Sequence, residues 1–254
     1  MHSVTKENVV AALIDVGVKP GDGLLVHSAL QYLGHPIGGV SIYLQALLDV
    51  LGPDGTVVAP TFNFGFARGE PYDPHTTPSE GMGVFSEYLR QQREARRTSH
   101  PIQSLSVVGH FSGDLSKRET SSAFEAGSAF ERMLELKFKI LLLGASIDAI
   151  SMLHYSEQRL GVPYRYWKEF SGLVLIGQGW QRRTYRMYVR DLELDPRLTL
   201  QPVQEILQSR RQWATIQLNY GWISLCSMTD FVTAVDELLA QDPWSLVTNR
   251  PSNQ

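Results

Sequence analysis

Lys139-Ile140-Leu141-Leu142-Leu143-Gly144 is the stretch from which the fold is read. Four branched aliphatics in an unbroken row make a strand buried on both faces, and the glycine marks its end. A helix is expected to follow from about 148 to 160. The same grammar recurs toward the N-terminus. Gly23-Leu24-Leu25-Val26-His27 and Thr56-Val57-Val58-Ala59-Pro60 read as further buried strands. Residues 4–17 carry Val9, Val10, Leu13, Ile14 and Val16 at helical spacing, with Thr5 as N-cap and Gly17 just past the last turn. Gly38 and Gly39 open a second helix through Leu51, and Gly52-Pro53-Asp54-Gly55 closes it. Helices alternating with wholly apolar strands argue for a layered α/β fold.

Beyond these, residues 67–82 form a turn-rich polar loop, and a helix runs through Phe85, Tyr88 and Leu89. Leu105 to Val108 reads as a strand. Residues 170–190 alternate like a hairpin with Gly177-Gln178-Gly179 near its tip, and helices near 199–209 and 229–241 follow. No repeat or linker interrupts the chain. The expectation is one domain over residues 1–254: an α/β single layered domain with a central mixed sheet flanked by helices, plus a C-terminal hairpin and helices.

The 254 residues are 43% hydrophobic and 19% charged, which excludes disordered and fibrous classes. Lys and Arg number 23 against 26 Asp and Glu, so no global basic field points to nucleic acid. A single cysteine, Cys226, excludes an intrachain disulfide framework and a Cys-rich zinc site. The start lacks the apolar core of a signal peptide, and no stretch approaches 18 uncharged apolar residues. A cytoplasmic protein without a membrane partner is expected.

Of the seven histidines, His154 has the most suggestive surroundings, Ser151-Met152-Leu153-His154-Tyr155-Ser156-Glu157. Residues three apart share a helix face, so Glu157 can fix one imidazole nitrogen and leave the other free as a base. The segment also follows a buried strand, at the end where α/β proteins place ligands. No GxSxG, HExxH, HxH, P-loop or GxGxxG occurs, so serine-nucleophile, metal and dinucleotide chemistries lack their signatures. His27-Ser28-Ala29-Leu30 lies just past a strand, where backbone amides can cradle a phosphate or a pantetheine arm; a plain strand end is the alternative. Arg96-Arg97-Thr98-Ser99-His100-Pro101 suits a phosphate clamp or a solvated basic loop equally.

Together these segments resemble the aminoglycoside 3-N-acetyltransferase family, including its amino-sugar N-acyltransferase relatives. The matching pieces keep the family's order: Pro20-Gly21-Asp22, Val26 to Leu30, Gly34 with Gly38-Gly39, Gly52 to Thr56, and Pro60-Thr61-Phe62. Asp73-Pro74, Arg96 to Pro101 with Ser104, Leu142-Leu143-Gly144, Leu153-His154-Tyr155 with Glu157, and Gly221 to Phe231 complete them. The resemblance implies acetyl-CoA or another acyl-CoA as co-substrate, no metal, and an amine of an aminoglycoside or amino sugar as acceptor. It implies His154 as general base with Glu157 as its partner. His27, Ser28, Ala29, Leu30, Thr98, Ser99 and Ser104 would line the coenzyme site. Asp73, Ser151, Tyr155, Trp167 and Lys168 would face the acceptor. Backbone amides near Ser28 and the Ser151 hydroxyl are candidate oxyanion donors. Family relatives often associate, so a homo-oligomer is an open expectation.

Thr98 stands where the family usually has serine, and Ser151 where threonine is common. Drug-modifying members carry acidic residues after the catalytic helix to grip a polycation. Here residues 159–197 hold eight Lys or Arg and four Asp or Glu, a local +4 within a chain of net −3. Such a field repels a polycation and attracts phosphate. It leaves open a nucleotide-linked amino sugar whose phosphates would meet Arg182, Arg183 and Arg186. A solvated cationic hairpin and a non-catalytic CoA- or nucleotide-binding protein stay open beside it.

Overall fold

The computed structural model describes residues 2–250. A two-residue strand, β1 (Ser3–Val4), leads into α1 (Lys6–Val16). That helix begins where Thr5 accepts the Asn8 amide and Asn8 accepts the Thr5 amide, and it ends at Gly17 with a left-handed φ of 103°. Next come β2 (Gly23–Ser28), β3 (His35–Pro36), α2 (Ser41–Leu51) and β4 (Thr56–Pro60). Gly38 and Gly39, both at positive φ, make the turn before α2 rather than its first residues, because the helix starts only at Ser41. The chain continues through α3 (Gly83–Arg90), β5 (Arg96–Arg97), β6 (Leu105–Gly109), α4 (Ser112–Ser116), α5 (Ala129–Glu135) and β7 (Lys139–Leu143). It ends with α6 (Leu153–Leu160), β8 (Arg165–Ile176), β9 (Gly179–Arg190), α7 (Gln201–Ser209), β10 (Ala214–Leu218), β11 (Gly221–Ser227) and α8 (Met228–Gln241).

Seven strands form one mixed sheet in the order β10-β11-β7-β2-β4-β6-β5. Its centre, β7-β2-β4, is parallel, so the carboxyl ends at Leu143, Ser28 and Pro60 meet along one edge. Antiparallel strands flank it on both sides. Side chains alternate between faces along each strand. Leu24, Val26, Val57, Ala59, Leu141 and Leu143 pack with residues of α1, α2 and α3. Leu25, Val58, Ile140 and Leu142 face the other way, with residues of α5 through α8. Central strands covered by helices on both faces are what their largely apolar sequences require.

β8 and β9 form a separate two-stranded sheet, joined by a two-residue turn at Gly177-Gln178. It is fastened by a third cluster of Phe66, Tyr72, Ile102, Val174 and Tyr185. Tyr72 exchanges backbone hydrogen bonds with Leu173 and Leu175 at 2.9 Å. Gly172 is required where this hairpin crosses Phe66, because a Cβ there would lie 2.7 Å from the ring. Two further elements differ from the sequence reading. The hairpin is longer than 170–190, starting at Arg165. The helix expected from 148 is a 3-10 turn at Ile147–Ala149, then an extended Ile150, and a helix only from Leu153. The Ser151 amide donates to the His27 ring at 3.0 Å, which holds this segment out of helical register.

Candidate active site

His154 lies in the first turn of α6, and one turn later Glu157 accepts its Nδ1–H at 2.6 Å. Glu157 is fully buried, while the His154 side chain keeps 31% exposure. With Nδ1 held by the carboxylate, the proton sits on Nδ1 and Nε2 is left as an acceptor. Gly161, left-handed at φ 67°, ends the helix and turns the chain back through Tyr164 to Arg165. The Arg165 Nε reaches Glu157 Oε2 at 2.8 Å, and an Nη donates to the Tyr188 carbonyl at 3.2 Å. Burial alone would raise the Glu157 carboxyl, but His154 and Arg165 outweigh it and hold it below the usual carboxylate range. The buried Tyr164 phenol is pushed up, first by burial and then by the Glu157 charge, and so stays protonated.

Two cavities meet at His154. The smaller, about 270 Å³, lies at the carboxyl ends of β2 and β4, walled by His27, Phe62, Met82, Ser151 and Leu198. The larger, about 570 Å³, is roofed by β8 and β9 and shares Phe62, His154 and Leu198 with it. Within the smaller one, His27 Nε2 accepts the Ser151 amide at 3.0 Å and lies 3.1 Å from its hydroxyl. Burial lowers His27 to about 3, so its ring is neutral and acts as an acceptor. His100, which accepts the Gln103 amide at 3.0 Å, is likewise lowered by burial to about 4.

These two rings set an acid limit. Both bind protons more weakly folded than unfolded, so between about pH 6.5 and 4 the unfolded chain takes up more protons and stability falls as pH falls. Each contributes about 1.4 kcal/mol per pH unit inside that window, about 2.7 together. Urea unfolding at pH 7, 5.5 and 4.5 should show this slope, roughly halved in His27→Gln. Equal stability at pH 7 and 4.5 would contradict it.

The structure gathers His27, Ser151, His154 and Lys168 on the cavity walls, with Glu157 directly behind His154. The other sequence candidates lie elsewhere. The Ala29 amide donates to the Leu143 carbonyl at 2.9 Å and is unavailable as an oxyanion donor; Ser28 bridges to Gly144 and Leu30 is buried. Thr98 Oγ1 accepts the Leu105 amide, and Ser104 Oγ accepts from Arg97 and donates to the Thr61 carbonyl, so both hydroxyls serve the strand framework. Ser99 lines a different cavity of about 400 Å³. Asp73 closes its own turn through His75 and Thr76. Tyr155, one residue and so about 100° around the helix from His154, points away and donates to Glu131 at 3.2 Å. Trp167 stacks beneath Arg186 at 4.5 Å, and Arg182 and Arg183 lie near the hairpin tip, well away from Arg190. Arg165, Arg190, Phe62 and Gln103, absent from the sequence candidates, line the larger cavity. Among the described residues no group of three or more His, Cys, Asp or Glu is placed to hold a metal ion, and no helix is long and apolar enough to cross a membrane.

The family model described as Aminoglycoside 3-N-acetyltransferase matches residues 25–240. The chain belongs to this family. It is 32% identical over 196 residues to an aminoglycoside N(3)-acetyltransferase III of Salmonella sp, covering 70% of this chain and 68% of that one. It is 29% identical over 209 residues to the aminoglycoside N(3)-acetyltransferase VIII of Streptomyces fradiae, covering 75% and 72%. The fold matches that of AAC-IIIb in binary complex with CoASH, with a TM-score of 0.83 at 20% identity over 98% of this chain and 100% of the other. It also matches AAC-VIa bound to sisomicin, with a TM-score of 0.83 at 23% identity over 94% and 98%. As a member of the aminoglycoside 3-N-acetyltransferase family, the chain is an acyltransferase with the mixed α/β fold read from its strands.

Proposed function

We propose that this chain transfers the acetyl group of acetyl-CoA to a primary amine of an amino sugar or aminoglycoside, with His154 as general base. The relatives' names support the donor and the acceptor class. The observation that carries the base is the 2.6 Å hydrogen bond from His154 to buried Glu157 at the junction of two cavities. The narrower cavity, at the ends of the parallel strands, suits the thioester arm, and the wider one suits the acceptor.

In the ternary complex an amine proton passes to His154 Nε2 as the nitrogen attacks the thioester carbonyl. The C–N bond forms, a tetrahedral oxyanion develops, and the C–S bond then breaks. The proton returns to the departing thiolate, giving amide and CoA thiol. Ser151 Oγ is the side-chain donor nearest to hand for the oxyanion, and its single hydroxyl proton is available because His27 Nε2 already accepts the Ser151 amide. The buried Cys226, whose thiol burial pushes up, takes no part, and a reducing cytoplasm that supplies acetyl-CoA is the matching setting.

Thiol release from acetyl-CoA should require an added amine. Release without an amine would instead make the chain an acyl-CoA hydrolase. Tight CoA binding with no release across a broad amine panel would make it a binding protein.

A further inference from the structure

The pairing of β4 with β6 runs on past both strand ends. Pro60 lies opposite Leu105, the Thr61 amide donates to the Ser104 carbonyl at 2.9 Å, and the Asn63 amide donates to the Ile102 carbonyl at 3.0 Å. Phe62 and Gln103 therefore face each other between two backbone bonds, with their side chains on the same side of the ladder. Both line the larger cavity, as does His154. The backbone N–H of Gln103 is tied down too, donating to the His100 ring at 3.0 Å. Gln103 thus stands on fixed backbone.

Gln103 is only 8% exposed, yet among the described residues its side-chain amide has no hydrogen-bond partner. An unpaired polar group in the interior costs the fold, and on a cavity wall that cost is offset when a ligand supplies the partner. The rest of the wall restricts that ligand. Among the described residues no Asp or Glu lines the cavity, so ammonium groups find no counter-charge there. Phe62, Phe64 and Phe170 offer apolar faces. A carboxamide both donates and accepts, and a hydroxyl does both in return. A sugar ring combines the two needs, with hydroxyls at its rim and C–H groups to pack on aromatic carbon. We infer that Gln103 is a specificity residue of the acceptor site, its side-chain amide binding a ring hydroxyl of the amino sugar whose amine faces His154. This rests on the acyl-transfer reading above and names how the acceptor is recognised.

The test measures thiol release from acetyl-CoA with glucosamine and its 3-, 4- and 6-deoxy analogues, in wild type and in Gln103→Met. Methionine keeps the length of the side chain and removes the carboxamide. In wild type at least one deoxy analogue should lose about 10–100-fold in kcat/KM against glucosamine, the effect of leaving one buried polar group unpaired. In Gln103→Met that ratio should fall toward one, and thermal stability should equal or exceed wild type, because the amide has no protein partner to lose. Equal use of all four acceptors by wild type, or a ratio unchanged in the variant, overturns the inference. So does a variant that is clearly less stable or fails to fold, since the amide would then serve the framework.

If no acceptor releases thiol, the acyl-transfer reading fails separately. Isothermal titration with glucosamine and the three analogues, CoA present, then decides the hydroxyl site. A deoxy penalty seen in wild type and lost in Gln103→Met supports it, and equal or absent binding in both proteins overturns it.

Discussion

His154→Ala is expected to lower kcat for amine-dependent thiol release by about 10²–10⁴-fold, with CoA affinity changed by less than about threefold. His154 is one of many residues lining the two cavities, and the coenzyme must reach far beyond one imidazole, so truncation removes a proton acceptor and little binding surface. The loss should carry a pH signature. An ammonium cannot attack a thioester; without a base the rate follows the fraction of acceptor already unprotonated, which rises with pH. The gap between wild type and variant should therefore narrow toward alkaline pH. A stopped assay from pH 6.5 to 9.5 reads this directly. Turnover near wild type at neutral pH would remove His154 from the mechanism, and a gap constant with pH would make it a binding residue. Glu157→Gln keeps a hydrogen-bond acceptor near Nδ1 but loses the charge, and so should cost less than the alanine variant.

The spacing of His154 and Glu157 was legible because both lie on one helix, where three residues bring side chains onto a common face. The sheet was equally legible: residues 139–143, 23–28 and 56–60 have no polar face to offer solvent, and only the middle of a helix-covered sheet accommodates that. Residues that depend on distant partners were not. Arg165 meets Glu157 only because Gly161 reverses the chain, a contact that no periodicity encodes. The Thr98 and Ser104 hydroxyls look like coenzyme ligands in sequence, yet they meet the Leu105 amide and the Thr61 carbonyl within the fold. β10 went unseen because an edge strand of alternating Thr and Gln carries a weak apolar signal. The net charge of a segment also said less than its sorting: three of eight cations are spent on Glu125, Glu157 and Asp236.

Arg165→Met should destabilise the fold by about 3–5 kcal/mol, the scale for breaking a buried ion pair by removing one partner. Glu157 has no reserve. Both its partners converge on Oε2, and Oε1 has no hydrogen bond among the described residues. With the guanidinium gone, His154 alone is left to offset burial, and the carboxyl holds a proton more tightly than in wild type. Relative to wild type, such a carboxyl favours folding at low pH and loses that contribution as pH rises. The deficit against wild type should thus be largest near pH 8 and shrink toward pH 5.5, opposite in sign to the histidine effect. Chemical unfolding at those two pH values checks it. Arg165→Met/Glu157→Gln should recover much of the loss, since an uncharged amide is far less costly to bury than an unpaired carboxylate. The rescued protein should still turn over slowly, because His154 would then lack the charge that orients it. Arg165→Met as stable as wild type at pH 8 would mean that the His154–Glu157 pair sustains its buried charge without the arginine.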